Sequence, residues 1–362
     1  MSPNWKELLK SHIWIFNIGR GLSAFIRTPL NQAMLYDLGS SDDFSPLEFV
    51  EKNLLPHIDQ YKNKNIAQRV ISHPHSDHIS EIHTLTQPSQ DTSTFAATLH
   101  TCPHDKEGSA RPEKLDWKKI KNPKGTEQLL EDYRSLYEHR NLPLQTICYD
   151  SRRYVPNLEY GIFYVRLPVV ADLCENDQKY GNGVSLLFFY RHGFHTLLIP
   201  GDLNPEVFKH LLNEGKGMEK RYTVFEGSQA VKHPNWHSAT CDQPSLCSLL
   251  QKHGCSILLA PHHGLESGFS EDLYNEMRGG KPALVAISEK RHLSSQDGVV
   301  DPRYQTLDGS VGQNVSIEGK TEFRYSVSTR NGHHILILFQ GTGGSPSVFL
   351  EKDPKRLLAY LS

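Results

Sequence analysis

A string of histidines and an aspartate directly follows an apolar run, and this arrangement constrains the chain more than any other feature. Residues 73–78 read HPHSDH and come after residues 66–72, which we predict to be a buried strand. Pro74 keeps the residue before it out of the helical region, so the segment stays extended. Side chains two residues apart on an extended segment point the same way, and His73 and His75 can therefore bind one metal ion.

The second half of the string predicts a second metal position. If a helix begins near Asp77, then Asp77 and His78 turn toward a point beside the first metal position. Imidazole and carboxylate ligands together suit Zn, Mn or Fe, and the absence of thiolates argues against a soft-metal site. The alternative is a chance string in a chain with 20 histidines. The strand before it and the helix after it favour metal ligands.

Two later segments also place ligand-type residues after predicted strands. Residues 196–199 lead through Pro-Gly to Asp202, a carboxylate that can bridge two cations or, alternatively, cap the helix that follows. Residues 256–259 lead to His262 and His263. Adjacent side chains at a strand end face opposite ways, so we expect one histidine to bind a metal and the other to contact substrate. The sequence does not choose between them.

The order of predicted elements favours a layered α/β sandwich over a single doubly wound sheet. We predict one domain over residues 1–345, with an insertion at about 100–160, and a C-terminal tail over residues 346–362. Strands are predicted at 13–17, 23–27, 33–37, 66–72, 162–167, 184–190, 196–199, 256–259, 283–287, 322–328 and 333–339, and helices at 46–61, 79–85, 126–140, 205–213, 244–253 and 270–277.

The predicted insertion contains a basic stretch from Arg111 to Lys124. It includes Lys118 and Lys119 beside Trp117, which is the combination of cations and a stacking aromatic that binds nucleic acid. A solvated surface segment is the other interpretation, and the sequence favours it.

Composition excludes several classes of function. The formal net charge of −2 creates no global field that would draw the protein to nucleic acid. The 6 cysteines form no CxxC pair, so we do not expect a cysteine zinc site. We expect instead a cytoplasmic protein with reduced thiols. No apolar run is long enough to span a membrane, and no secretory signal or Gly-rich nucleotide motif is present.

Three strings in this order, HPHSDH, IPGDL and PHHG, resemble the metallo-β-lactamase superfamily. The closest likeness is to the soluble metallo-hydrolase domain of ComEC-type DNA-uptake proteins and to phosphorylcholine esterases. The opening FNIGRGLSAFIRTPLNQAMLYDLGS and the segment NGVSLLFF are also similar to that subgroup, so the resemblance extends patchily over about 12–340. Asn17 and Leu22 stand where the relatives carry acidic residues, and Asp301-Pro302 replaces a His-Pro pair.

The resemblance implies an αββα sandwich, in which two mixed β-sheets are flanked by helices, and two divalent metal ions, Zn or Mn. Carried over to this chain, it makes His73 and His75 ligands of one ion and Asp77 and His78 ligands of the other. Asp202 would bridge the ions, while either His262 or His263 would complete the second site. A hydroxide between the ions would attack the substrate, with Asp77, His262 and His263 as catalytic residues.

The same resemblance implies a phosphodiester substrate. We therefore expect a phosphodiesterase or nuclease that acts on DNA, RNA or a cyclic nucleotide, with no membrane partner; a homodimer or a protein partner is neither indicated nor excluded. The alternatives are a hydrolase of another ester or amide, such as a thioester or lactam, and a metal-stabilised binding module without activity. The predicted substrate contacts are Asn182, Lys290, Arg291, Lys118 and Lys119.

Overall fold

The computed structural model of the chain describes residues 10–29, 32–58, 66–86, 98–101, 115–139, 147–150, 158–213, 220–224, 240–243, 245–289, 299–341 and 343–361. All structural statements below concern these residues.

The strands, in chain order, are β1 (Lys10–Ile15), β2 (Ala24–Arg27), β3 (Ala33–Tyr36), β4 (Ile66–Val70), β5 (Thr98–His100), β6 (Ile147–Asp150), β7 (Leu158–Phe163), β8 (Leu187–His192), β9 (His195–Ile199), β10 (Lys220–Val224), β11 (Thr240–Gln243), β12 (Ile257–Leu259), β13 (Leu284–Ile287), β14 (Gln313–Ile317), β15 (Lys320–Arg324), β16 (Ser326–Ser328), β17 (His334–Gln340) and β18 (Ser347–Glu351).

The α-helices are α1 (Pro46–Phe49), α2 (Leu55–Ile58), α3 (Ser76–Ile79), α4 (His83–Thr86), α5 (Glu127–His139), α6 (Leu167–Leu173), α7 (Asp177–Gly183), α8 (Pro205–Asn213), α9 (Leu246–His253) and α10 (Glu271–Glu276). A five-residue π-helical segment, Val50–Leu54, joins α1 to α2.

The strands form two mixed sheets of nine strands each. The order in the first sheet is β15-β14-β18-β17-β1-β2-β3-β4-β5, and in the second it is β11-β10-β6-β7-β8-β9-β12-β13-β16. In the first sheet, β1 pairs antiparallel with β2 and β17, whereas β3 and β4 are parallel. In the second, β9, β12 and β13 are parallel neighbours. Parallel neighbours end at the same edge of a sheet, so residues that follow them lie near one another.

Alternation along the strands separates two cores. Ile13 and Ile15 of β1 pack between the sheets with Leu197 and Ile199 of β9, whereas Trp14 faces the helical layer. Side chains on a strand alternate between faces, so each sheet buries one face against the other sheet and one against helices. The predicted sandwich of two mixed sheets flanked by helices is confirmed.

Helix α8 shows how local sequence builds the outer layers. The Asn204 side chain accepts a hydrogen bond from the Val207 amide (3.2 Å), which caps the helix, and Pro205 occupies its first turn. Val207, Phe208 and Leu211 lie on one face of the helix and are buried. The predicted helix at 205–213 therefore has the predicted bounds.

Three other predictions needed correction. The predicted strand at 162–167 ends at Phe163, because Pro168 in the first turn of α6 starts a helix there. The predicted strand at 184–190 begins at Leu187, after helix α7. The predicted strand at 322–328 is two strands, β15 and β16, that belong to different sheets. Alternating sequence patterns mark strands but do not show where a chain changes sheets.

The predicted insertion and tail both contribute strands. Within residues 100–160, β6 pairs with β7 and β10 in the second sheet. Beyond residue 345, β18 lies between β14 and β17 in the first sheet. The division into domain, insertion and tail stays a prediction. Among the described helices, none is both long and apolar enough to cross a membrane.

Candidate metal centre

The ligand-type residues gather where strands of both sheets end. His73 follows β4 in the first sheet, and Asp202 and His263 follow β9 and β12 in the second. Because β4 runs parallel to β3 and β9 runs parallel to β12, the C-terminal ends of these strands bring distant segments to one edge of the sandwich.

The first group of ligand-type atoms belongs to His73, His75 and Asp202. One ligand atom of each lies within 4.8 Å of the others. The His73 Nε2 atom lies 3.0 Å from His75 Nδ1 and 3.6 Å from Asp202 Oδ2. His73 and Asp202 are buried, so their polar atoms converge on a space largely closed to solvent.

The second group belongs to Asp77, His78 and His263, which meet the same 4.8 Å criterion. The His263 Nε2 atom lies 3.4 Å from both Asp77 Oδ2 and His78 Nε2. Asp202 also reaches this group, since its Oδ1 lies 3.4 Å from His78 Nε2 and its Oδ2 lies 3.7 Å from His263 Nε2. Asp202 therefore contacts both groups.

Two acceptors orient the imidazole rings of the second group. The Nδ1 atom of His78 lies 2.7 Å from Asp37 Oδ2, and that of His263 lies 3.0 Å from the Ser288 carbonyl. A carbonyl only accepts hydrogen bonds, as does an ionised carboxylate, so each ring donates its Nδ1 proton outward. With neutral rings, both Nε2 lone pairs then face the group. This orientation is typical of metal-binding histidines.

Asp37 was not among the predicted site residues, yet its carboxylate orients the His78 ring of the second group. Its carboxylate accepts hydrogen bonds from the Ser72 amide (2.6 Å) and the Ser72 hydroxyl (2.8 Å), as well as from His78. It has a φ of 58°, which is uncommon for a residue other than glycine. The available signal was an aspartate directly after a buried strand, the same signal that identified Asp202.

The two adjacent histidines have separate surroundings. Both have left-handed backbone conformations, with φ of 50° for His262 and 57° for His263. His263 joins the second group, whereas His262 Nε2 lies 3.4 Å from the Asn182 amide nitrogen and 3.9 Å from Asp202 Oδ2. The Ser267 hydroxyl lies 2.8 Å from His262 Nδ1.

A polar cavity of about 330 Å³ opens beside His262. It is lined by Asn176, Lys179, Asn182, Asn204, Pro205, Glu206, His262 and Ser267. Asn176 and Asn204 cap helices α7 and α8 with their side chains, so their polar groups are already engaged. Asn182, in contrast, is buried, and its Oδ1 atom has no hydrogen-bond partner among the described residues.

Part of the predicted insertion holds the HPHSDH segment. The Asn122 side chain donates to the Pro74 carbonyl (2.8 Å) and accepts from the Ser76 amide (2.7 Å), which clamps the turn between His75 and Asp77. Sequence reasoning missed Asn122, because nothing local to it indicates a contact 48 residues away.

The basic stretch contributes differently from its nucleic-acid interpretation. Trp117 packs edge-to-face against Tyr133 and Tyr137, and the Arg134 guanidinium lies 5.6 Å from its ring centre, so its faces are engaged within the protein. Lys119 lies over the Tyr180 ring, and Lys118 is exposed. The two other predicted substrate contacts, Lys290 and Arg291, lie outside the described residues.

Burial and neighbouring charges shift the pKa values of the ligand-type residues. Burial lowers the pKa of His73, His75 and His262, which favours their neutral, ligating forms. Burial alone would raise the pKa of Asp202, but the surrounding histidines hold it well below its usual value. For His78, burial opposes the charged form, but Asp202 and Asp37 raise its pKa well above normal, so this ring keeps its Nε2 proton until a bound cation displaces it. Such opposed shifts crowded into one place are typical of a functional site.

The donor set fits two divalent cations. In the second group, the Nε2 atoms of His78 and His263 lie 3.4 Å from each other and from the nearest carboxylate oxygens, which leaves room for an ion between them. The Nε2 atom of His75 is buried and has no partner among the described residues, while its Nδ1 faces His73, so Nδ1 is the atom available to the first group. The structure therefore contains buried histidine–aspartate groups that could bind metal.

Comparison with known proteins adds little to this geometry. The chain matches no protein-family model and none of the curated proteins. Among solved structures, it is similar to a diphosphatase from the PhnP family, with 11% sequence identity over 77% of this chain and 87% of that chain, at a TM-score of 0.36. Similarity at this level assigns neither a family nor an activity, and the resemblance to the ComEC-type subgroup stays a prediction.

Proposed function

We propose that this protein is a hydrolase that depends on two divalent metal ions, Zn or Mn, and cleaves phosphodiesters in DNA, RNA or a cyclic nucleotide. The observation that supports it is Asp202, a buried carboxylate within 3.4 to 3.9 Å of His73, His78, His262 and His263. A carboxylate in contact with two ligand groups is suited to hold two cations at the short separation that two-metal hydrolases use.

In this proposal, His73, His75 and Asp202 hold one ion, while Asp77, His78, His263 and Asp202 hold the other. When bound, the ions would supply a nucleophilic water at neutral pH and positive charge opposite the phosphoryl oxygens. Asp37 and Ser288 hold the rings of His78 and His263, so these ligands need little reorganisation.

His262 is the proposed contact for the leaving group or a phosphoryl oxygen. It lies between Asp202 and the polar cavity, and Ser267 and Asn182 hold its ring at Nδ1 and Nε2 respectively. A neutral ring that accepts from the Ser267 hydroxyl at Nδ1 carries its proton on Nε2, so His262 can donate to an oxygen that gains negative charge once that oxygen replaces the 3.4 Å contact with the Asn182 amide nitrogen. Asn182, with a free buried oxygen, stays a proposed substrate contact.

The test is hydrolysis with defined metals. Purified protein should contain two ions per chain and hydrolyse bis(p-nitrophenyl) phosphate, with nucleic acids and cyclic nucleotides assayed next. Asp77→Asn should abolish turnover, whereas Asp353→Asn, an exposed aspartate near the C-terminus, should not. Two bound metals with no phosphodiester turnover would favour a thioester or lactam hydrolase, and activity retained by Asp77→Asn would remove that residue from the proposal. A metal-bound protein inactive on every class would favour a binding module.

A further inference from the structure

A glycine-flanked arginine stands at the open side of the metal centre. Arg20 lies between Gly19 and Gly21 in the turn that joins β1 to β2. Its guanidinium Nε lies 3.7 Å from Asp77 Oδ2, and its side chain is 45% exposed. It therefore reaches the centre from the solvent side.

The turn is fastened to the centre on two sides. The Leu22 amide donates to the Asp77 carbonyl (3.3 Å), and the Ser288 hydroxyl donates to the Gly21 carbonyl (2.6 Å). Gly21 has a φ of 122°, and a Cβ atom there would collide with the Asp77 carbonyl. Only glycine allows this close approach. The strained, close-packed turn therefore fixes the position of Arg20.

The contact with Asp77 does not account for this placement. The 3.7 Å separation is too long for a hydrogen bond, and an exposed ion pair adds little to stability. Asp77 Oδ2 already faces His263 Nε2 at 3.4 Å. No hydrogen bond from the guanidinium to another described residue accompanies it, so its donors face the solvent at the mouth of the centre.

We propose that the guanidinium of Arg20 binds the phosphoryl group of the substrate. It donates hydrogen bonds to two phosphoryl oxygens, while the metal centre binds the side of the phosphoryl group that reacts. The inference rests on the proposed function, because it concerns the substrate of that same site. The planar fork of arginine matches two phosphoryl oxygens at once, and lysine offers no such geometry.

Among the described residues, a second cation lines the cavity beside the site, and it is already neutralised. Lys179, which lines the cavity, lies 3.3 Å from Glu206 and 3.5 Å from Glu175. Its charge is thus balanced within the protein, whereas Arg20 meets a carboxylate whose charge a bound cation would offset. Arg20 is then available to an anionic substrate.

Binding of inorganic phosphate to the zinc-loaded protein tests the inference. Calorimetry should show that Arg20→Gln weakens phosphate binding at least tenfold, that Arg20→Lys falls between it and the wild type, and that Arg356→Gln, an exposed arginine in the C-terminal 3₁₀ helix, binds as the wild type does. Metal content and melting temperature should be the same in all four proteins.

Two results would overturn the inference. One is wild-type phosphate affinity in Arg20→Gln with both metals bound. The other is a loss of metal or of thermal stability in Arg20→Gln that Arg20→Lys fully restores, since that would make Arg20 a charge partner of Asp77 only. Neither depends on turnover, so wild-type protein that binds phosphate but cleaves no phosphodiester would count against the proposed function and leave the assignment of Arg20 standing.

Discussion

Among the described residues, buried histidines occur at both ends of the sandwich, but only one end combines them with carboxylates. At the far end, His192 and His195 close the β8–β9 hairpin and His12 lies on β1, with Ser11 contacting Tyr190 (2.6 Å) and His192 (2.9 Å). Within the described residues, groups of three ligand atoms within 4.8 Å occur only at the metal-centre end. Histidine enrichment therefore does not define a metal site; the aspartates among the histidines do.

The two ends also differ in how the rings are held. At the far end, burial lowers the pKa of His12 and of His192 to about 4, which keeps both rings neutral at neutral pH. At the metal-centre end, carboxylates oppose the effect of burial, and the pKa of His78 is raised instead. One end buries histidines as neutral core residues, whereas the other balances them with negative charge.

The largest expected effect comes from removing the carboxylate common to both ligand groups. Asp202→Asn should lower kcat by about a thousandfold or more and reduce bound metal to less than one ion per chain, because the amide cannot bridge two cations. Plasma emission analysis and bis(p-nitrophenyl) phosphate turnover measure this. His195→Gln at the far end is the matched control; equal metal loss in both variants would contradict the comparison.

A smaller effect should separate the adjacent histidines. His263→Ala should lose one metal ion and lower activity by about a hundredfold or more, because its Nε2 belongs to the second group. His262→Ala should keep both ions and lower kcat by roughly a hundredfold, at the low end of the range for a positioned acid. Metal analysis of both variants decides, and the reverse pattern would exchange their roles.

Removing the carboxylate that orients the His78 ring should have a smaller effect than removing Asp202. Asp37→Asn keeps the size of the side chain but weakens the hold on the His78 ring, so metal affinity or activity should fall by about 10–100-fold. Competition with a zinc chelator measures the affinity. Unchanged affinity together with unchanged kcat would show that the ring is held by packing alone.

Acid stability should show the smallest effect and involves the far end alone. The folded-state pKa of His12 is below its usual value of 6.5, so its burial stabilises the fold above about pH 6.5, and that stability is lost as the pH falls toward 4. His12→Leu should reduce the loss of unfolding free energy between pH 7 and pH 4.5 by on the order of 2 kcal/mol, with activity unchanged.

Urea denaturation at the two pH values provides the measurement, with exposed His83→Leu as control. An identical pH dependence in wild type and His12→Leu would show that His12 gains a proton without cost.

The sequence predicted the ligand-type residues that the structure brings together, but not the residues that hold them. His73, Asp202 and His263 lie directly after apolar strands, so local context alone predicts that they meet at a sheet edge. Asn122 and Ser288 act through contacts 48 and 25 residues away, which depend on how the sheets close, whereas Asp37 follows β3 directly and carried the same local signal as Asp202. The sandwich itself followed from element order, whereas the point where β15 passes to β16 in the other sheet depends on tertiary packing.

The site also depends on three glycines, whose lack of a side chain leaves room for the ligand-type residues. A methyl group added at Gly21 or Gly39 would strike the Asp77 carbonyl, and one added at Gly181 would strike the His75 ring. In a saturation mutagenesis screen, these three glycines should therefore be as intolerant of change as Asp77 and His75, which they adjoin. A search for chemically reactive residues would overlook them, although the empty volume they provide determines where Asp77 and His75 lie.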